Sequence, residues 1–340
     1  MGLLKGKTIL ITGGTGSFGQ KCVEILLKEH QPEKIIIYSR DELKQMLMQE
    51  KFEHPSMRYF IGDVRDKERI RRALDGVDYV IHAAALKQVP AIEYNPFEAI
   101  RTNVIGAYNV ISSAIDAGVR KIIAMSTDKA ANPINLYGAT KLCSDKIFIS
   151  ANNLSGKHPA RFSVVRYGNV AGSRGSVIPL FLRKKSTGVL PVTDARMTRF
   201  VITLDQGVRF VLRSFEMMQG GEIFVPKIPS VYITDVAKAV APECDIKITG
   251  IRPGEKLHEV MITEDDSRQT LEFPDFYLIQ PQFHWWNAGY YVSIGGYQTQ
   301  VCEEGFSYAS NTNKHWLSVQ DIQNLLQKNP VESELLEGKK

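Results

Sequence analysis

The chain has 340 residues, 44% hydrophobic and 23% charged, which is enough for one large folded unit or two moderate ones and excludes wholesale disorder. Basic residues exceed acidic ones by 42 − 37 = 5; without a long Lys/Arg run this excess suits small anionic ligands and not a nucleic acid. Cys22, Cys143, Cys244 and Cys302 form no CxxC pair and have no His at ligand spacing, so reduced thiols in a cytoplasmic protein are expected, with no metal. The opening MGLLKGKTILITGG reaches glycines too early for a secretory leader, and Gly6 breaks the myristoylation pattern. No run approaches the ~18 apolar residues of a membrane span, so no membrane partner is expected.

Up to residue 170 two periodicities alternate. Short β-branched runs occur at Lys7–Thr12, Lys34–Tyr38, Met57–Ile61, Asp78–His82, Lys121–Met125 and Phe162–Tyr167. Continuous apolar runs of this length suit strands buried on both faces of a parallel sheet. Between them, Gln20–Glu29, Asn95–Ala117 and Tyr137–Asn152 read as helices. Alternation of this kind predicts right-handed βαβ units and an α/β, Rossmann-type doubly wound sheet. Beyond residue 170 the rhythm loosens. Met197–Met218 reads as a helix, Ser230–Ile233 as a strand and Ser318–Gln327 as a last helix, with Trp285 and Trp286 packing in a core or an interface. The expected division is a nucleotide-binding domain over 1–170, with elements of 197–240 returning to it. A smaller irregular α+β substrate-binding region takes 171–196 and 241–340.

The first strand runs into Thr12-Gly13-Gly14-Thr15-Gly16-Ser17-Phe18-Gly19 and then a helix. Gly13, Gly16 and Gly19 sit where a dinucleotide fold needs a tight turn, close approach of pyrophosphate and close helix packing. The phosphates would lie at the helix N-terminus beside Thr15, Ser17 and Phe18, among free N–H groups. The second strand ends in Ser39-Arg40-Asp41, with Lys44 one turn later. Serine, arginine and lysine there favour a 2′-phosphate, hence NADP, although Asp41 could still reach a ribose 2′-hydroxyl. Asp63, followed by Val64, ends the third strand and suits either the adenine amino group or a helix N-cap. The fourth strand ends in His82 and Ala83–Ala85, whose small side chains leave room for the cofactor; His82 itself reads as a core histidine.

Tyr137 and Lys141 are four apart and share a helical face. A free tyrosine titrates near ~10, and a neighbouring ammonium lowers that value, so Tyr-x-x-x-Lys makes a base for a sugar hydroxyl. The fifth strand brings Thr127 to the same place, followed by Asp128 and Lys129.

These residues resemble the extended short-chain dehydrogenase/reductases acting on nucleotide sugars. The stretches SRDELKQ, AAALKQVP, MSTDKAANPINLYGATK, VVRYGNVAGSRGSVIP, MTRFVIT and IRPGEKLHE are similar in particular to the inverting UDP-N-acetylglucosamine 4,6-dehydratases. That resemblance implies a lyase forming a 4-keto-6-deoxy-L-arabino sugar nucleotide, the first step of pseudaminic acid synthesis for flagellin or surface glycans, in a homo-oligomer. It implies that Tyr137, with Thr127 and Lys141, deprotonates the C4 hydroxyl, and that hydride passes to NADP⁺ and returns to C6. Asp128 would be the acid at C6. Lys129 would be the C5 base if neighbouring cations or burial suppress its charge. It also places Lys87 and Asn169 near the sugar nucleotide and Arg199, Arg252 and Glu255 on the UDP phosphates and ribose; for Arg199 a structural salt bridge is an equal alternative. A UDP-hexose 4-epimerase, a retaining dehydratase or a non-catalytic NADP-sensing protein on the same scaffold are the competing readings, against which Asp128-Lys129 and the intact Tyr137 and Lys141 stand.

Overall fold

The computed structural model describes residues 2–173, 176–287, 289, 291 and 299–329. Its first strands, β1 (Thr8–Thr12), β2 (Lys34–Ser39), β3 (Met57–Ile61), β4 (Tyr79–His82), β5 (Lys121–Thr127) and β6 (Arg161–Tyr167), match the six apolar runs. After them come β7 (Asn169–Val170), β8 (Val189–Val192), β9 (Thr198–Ile202), β10 (Ile223–Pro226), β11 (Ser230–Tyr232) and β12 (Asp245–Ile248). The last are β13 (Val260–Ile262), β14 (Thr270–Glu272), β15 (Phe276–Ile279), β16 (Gln300–Val301) and β17 (Tyr308–Ala309). Ten strands form one sheet in the order β16-β14-β15-β10-β6-β5-β4-β1-β2-β3.

β1 is buried at all five positions, with Leu10 opposite Ile36 on one side and Val80 on the other. Helices covering both faces of a parallel sheet leave no polar side, which is why the run TILIT does not alternate. The chain moves outward from β1 through β2 to β3, then returns to the other flank of β1 as β4. The crevice at the carboxyl ends of β1 and β4 is the topological switch point, where ligands bind in open α/β sheets. His82 closes β4. It is buried, shares a hydrogen bond with Thr12 Oγ1 (2.8 Å) and stacks on Phe148. Burial and the Lys141 ammonium push its pKa down to about 3, so it is a neutral core residue.

The later chain departs from the sequence reading at Met197–Met218. This segment is a strand, β9, followed by the helix Leu204–Met217. β9 lies antiparallel to β11, with Arg199 opposite Val231. Thr203 then restarts the chain as a helix through a capping box with Gln206, a local signal readable in T-x-x-Q. β10, which no sequence expectation marked, lies parallel to β6 and extends the sheet. Antiparallel β15, β14 and β16 extend it further, so part of 241–340 is built onto the nucleotide-binding sheet. Glu222, just before β10, is buried and accepts from Ser163 Oγ (2.6 Å), Trp286 Nε1 (3.2 Å) and Tyr291 OH (2.8 Å). Trp285 is half exposed and donates to Asn153.

A second apolar cluster gathers Ile178, Phe181, Leu190, Met197, Val236 and Ile322 around β8, β12 and the helices Val177–Lys184, Ile233–Val240 and Val319–Lys328. Fully burying each such side chain contributes on the order of 2 kcal/mol. Among the described residues no helix is long and apolar enough to cross a membrane.

Candidate active site

A cleft of about 590 Å³ runs along the switch point. Its floor at one end is the glycine turn, with Gly13, Thr15, Gly16, Ser17 and Phe18 in the lining. Gly13 has φ +65°, and a Cβ there would lie 2.9 Å from the Ala84 backbone, so the turn admits only glycine. Gly19 lies behind the lining; its absent side chain lets the helix pack on the Gly14 carbonyl, which a Cβ would approach to 2.1 Å. The helix Ser17–Ile25 begins at Gly16 without a side-chain cap. Uncapped N–H groups at a helix start are a fitting cradle for a pyrophosphate.

At the β2 end, Ser39 Oγ shares a hydrogen bond with Thr15 Oγ1 (2.9 Å), and Arg40 and Lys44 line the cleft. Asp41 is committed to the helix Glu42–Lys51: its Oδ1 accepts the Lys44 N–H (3.0 Å) and its Oδ2 pairs with the Lys44 ammonium. The two readings of Asp63 are also separated. Asp66, not Asp63, caps the helix Lys67–Ala73. Asp63 lines the cleft with Val64 and is held by Arg65, through N–H (2.9 Å) and Nε (2.8 Å), with Arg40 3.7 Å away. Ala83 and Ala84 leave the space above β4 open.

The far end of the cleft holds the ionisable groups. Asn135 caps the helix Leu136–Leu154 by accepting the Gly138 N–H (2.8 Å) and donates to the Gly254 carbonyl (2.7 Å). This fixes the helix start, and Tyr137 and Lys141 project one turn apart into the cleft beside Thr127 and Lys129. Burial raises the Tyr137 phenol to about 12; the Lys129 ammonium and a hydrogen bond with Thr127 pull it down, while Asp128 and Asp145 raise it further. Lys129 is thus a second cation beside Tyr137, in addition to the Lys141 that the spacing pointed to. Lys141 is buried, its ammonium disfavoured by desolvation and supported by Asp145. Asp145 in turn accepts from Ser126 Oγ (2.7 Å) and faces Arg166 (3.4 Å).

Asp128 and Lys129 form a short turn at the end of β5. Asp128 is fully buried and accepts at Oδ1 from Thr127 Oγ1 (2.9 Å) and Lys129 Nζ (3.0 Å). The surface ion pair of an ordinary loop is thus excluded. The expected suppression of the Lys129 charge is also corrected. Burial does oppose its ammonium, but Asp128 and Glu259, each 3.0 Å away, outweigh burial and the repulsion of Arg199 and hold its pKa above the usual lysine range. Sequence reasoning missed Glu259, although it closes the stretch IRPGEKLHE.

Lys87 and Asn169 line the cleft. Arg199, Arg252 and Glu255 do not line it. Arg199 is buried and donates to the carbonyls of Thr198 (2.7 Å), Leu257 (3.1 Å) and Lys256 (2.9 Å), with Glu255 and Glu259 each 3.7 Å away. Its guanidinium is thereby used within the protein, as the salt-bridge alternative required. Arg252 is exposed and pairs with Glu255 (3.5 Å).

Residues 9–281 match the family described as "Polysaccharide biosynthesis protein". The chain belongs to that family. It is 58% identical to a protein of Campylobacter jejuni subsp. jejuni serotype O:2 named UDP-N-acetylglucosamine 4,6-dehydratase (inverting), over 93% of this chain and 96% of that one. A Rickettsia conorii protein named UDP-glucose 4-epimerase is 41% identical, over 94% and 95%. Among solved structures, Pen from Bacillus thuringiensis superposes with a TM-score of 0.87 at 36% identity, covering 98% of this chain and all of that one. Family members thus carry both dehydratase and epimerase names.

Proposed function

We propose that this chain is a UDP-N-acetylglucosamine 4,6-dehydratase that inverts C5. The observation that carries this reading is the pairing of buried Asp128 with half-buried Lys129 beside Tyr137 at the cleft's inner end. An epimerase needs one base at C4; a dehydratase also needs a base at C5 and an acid at C6, and the pair supplies both types of group. Similarity to the C. jejuni dehydratase supports the same choice.

A nicotinamide dinucleotide bound in the cleft would supply the acceptor for the C4 hydride and its donor to C6. Gly13, Gly16, Ser17 and Phe18 would hold its pyrophosphate, Asp63 and Val64 its adenine, and Ser39, Arg40 and Lys44 a 2′-phosphate. We assign NADP because Asp41 is taken up by the helix cap. Replacing Arg40 with Ala should raise KM for NADP about tenfold or more and leave KM for NAD nearly unchanged, since a hydrogen bond to a charged group contributes about 1.5–3 kcal/mol. Initial rates with each dinucleotide, on enzyme freed of bound cofactor, check this.

In the chemical steps Tyr137 takes the C4 hydroxyl proton, with Thr127 and Lys141 holding it in place. The 4-ketone acidifies C5–H. Lys129, as free amine, removes that proton, and Asp128, as neutral acid, gives a proton to the departing C6 hydroxyl; once C6 has regained hydride, C5 takes up a solvent-derived proton on the face that inverts it. Lys87 and Asn169 would contact the sugar nucleotide. The product is the 4-keto-6-deoxy-L-arabino sugar of the pseudaminic acid route. A homo-oligomer is part of the proposal, supported by the exposed apolar side chains of Tyr94, Phe97 and Tyr108.

Incubating the chain with UDP-N-acetylglucosamine in D₂O tests the reading. A product lighter by one water, with deuterium at C5 and L-arabino couplings in its NMR spectrum, is expected. UDP-N-acetylgalactosamine as product, with no loss of water, would establish the epimerase instead.

A further inference from the structure

Glu259 belongs to the ionic cluster at the cleft's inner end, and the proposed steps do not use it. It lies just before β13, out of solvent, 131 residues after Asp128 (259 − 128). Its backbone is clamped from both directions: its N–H donates to Ser310 Oγ (2.9 Å), and its carbonyl accepts the Ser310 N–H (2.8 Å). One carboxylate oxygen, Oε1, meets Lys129 Nζ at 3.0 Å and Arg199 Nε at 3.7 Å. Its other oxygen and Asp128 Oδ2 are buried and accept no hydrogen bond among the described residues.

A buried carboxylate held this firmly is not needed to fold a loop whose backbone Ser310 already secures. Its side chain points instead at the nitrogen that the mechanism requires as a base. We infer that Glu259 is a positioning residue for the dehydration step: it fixes the Lys129 nitrogen against Asp128 so that one proton moving between those two arms both. This inference rests on the proposed function.

The transfer is balanced. A Lys129 N–H bond breaks and an Asp128 O–H bond forms across the 3.0 Å contact. An ion pair becomes a free amine and a neutral carboxyl, the forms needed at C5 and C6. With Asp128 and Glu259 negative and Lys129 and Arg199 positive, the cluster is neutral before and after, so the step moves no net charge into a buried site. Glu259 accepts a hydrogen bond from Lys129 in either state and keeps the nitrogen in place after the proton has left. Its charge also makes the amine a stronger base, which suits removal of a carbon-bound proton. The charged and titratable groups facing Lys129 are Asp128, Glu259, Arg199, Lys256 and Tyr137. Lys256 is itself tied to the Ala131 carbonyl (2.6 Å).

The test is Glu259→Gln, assayed against pH for dehydration and, in D₂O, for deuterium entry at C5. The glutamine keeps the shape and the acceptor oxygen but not the charge. Turnover should fall about 10- to 100-fold. KM for UDP-N-acetylglucosamine and the single-turnover reduction of cofactor should stay within about twofold, as expected of a group outside the first step. The limb on which activity rises with pH should move down by about one unit, because Lys129 loses one of its two anions. Glu259→Asp keeps the charge but withdraws it by a methylene, so turnover should fall with the limb in place; this arm decides the matter if the glutamine variant does not fold. Wild-type turnover and an unmoved limb in Glu259→Gln, or wild-type turnover in Glu259→Asp, would overturn the inference alone. A wild-type chain that leaves UDP-N-acetylglucosamine unchanged overturns the proposed function, and the inference with it.

Discussion

Tyr137→Phe is expected to lower dehydration about a thousandfold, the largest single loss that removing a proton-transfer group at this cleft should cause. The phenol lies at the inner end of the cleft within reach of the Thr127 hydroxyl, and removing its oxygen deletes the acceptor for the C4 proton while keeping the ring. Burial holds the phenol at about 12, so at neutral pH it carries its proton. Activity through Tyr137 therefore rises with pH, and added positive charge near the phenol extends that rise to lower pH. The phenylalanine variant should bind dinucleotide as tightly as wild type, by fluorescence titration, and should show no absorbance of reduced nicotinamide in a single turnover. Normal reduction in that variant would remove Tyr137 from the first step.

Lys129→Ala is the second large effect, and it should separate the two halves of the reaction. Reduction of cofactor on adding substrate should persist, since Tyr137 and Lys141 remain, but should need a higher pH, because the phenol loses the Lys129 ammonium. Deuterium entry at C5 and loss of water should fall by about 100-fold or more. The variant should also be less stable. Removing the ammonium leaves Asp128 and Glu259, 1% and 2% exposed, without the cation between them. Breaking a buried pair in this way costs about 3 kcal/mol. A urea midpoint below that of wild type would report the loss. A wild-type midpoint, with unchanged C5 exchange, would mean that Lys129 is neither base nor linchpin.

Much of this molecule is readable from local pattern. The six apolar runs became β1 to β6 because a strand covered on both faces has no polar side to confuse the signal. The glycine turn and the Tyr137–Lys141 spacing are local, and both landed in the cleft. Failures came where a residue's partner is distant. For Arg199 the sequence left a phosphate ligand and a structural salt bridge equally open, because an arginine's type says nothing of its neighbours; the carbonyls of Lys256 and Leu257, nearly 60 residues on, use its guanidinium. Met197–Met218 looked helical because its first residues are apolar; pairing with β11 made them a strand. Glu259 was invisible as a site residue because β13 and β17 deliver it to β5.

The sequence alone therefore determined the sheet class, the dinucleotide turn and the identities of the groups at the β5 end, since each depends on periodicity or spacing within one element. Only the tertiary structure decided their charge states. The base role of Lys129 was conditional on its charge being suppressed by neighbouring cations or burial, and the fold sets it between two buried carboxylates that favour its ammonium. Ionisation is set by whatever comes within a few ångströms in a medium of low dielectric, and no reading of the flanking residues contains that distance.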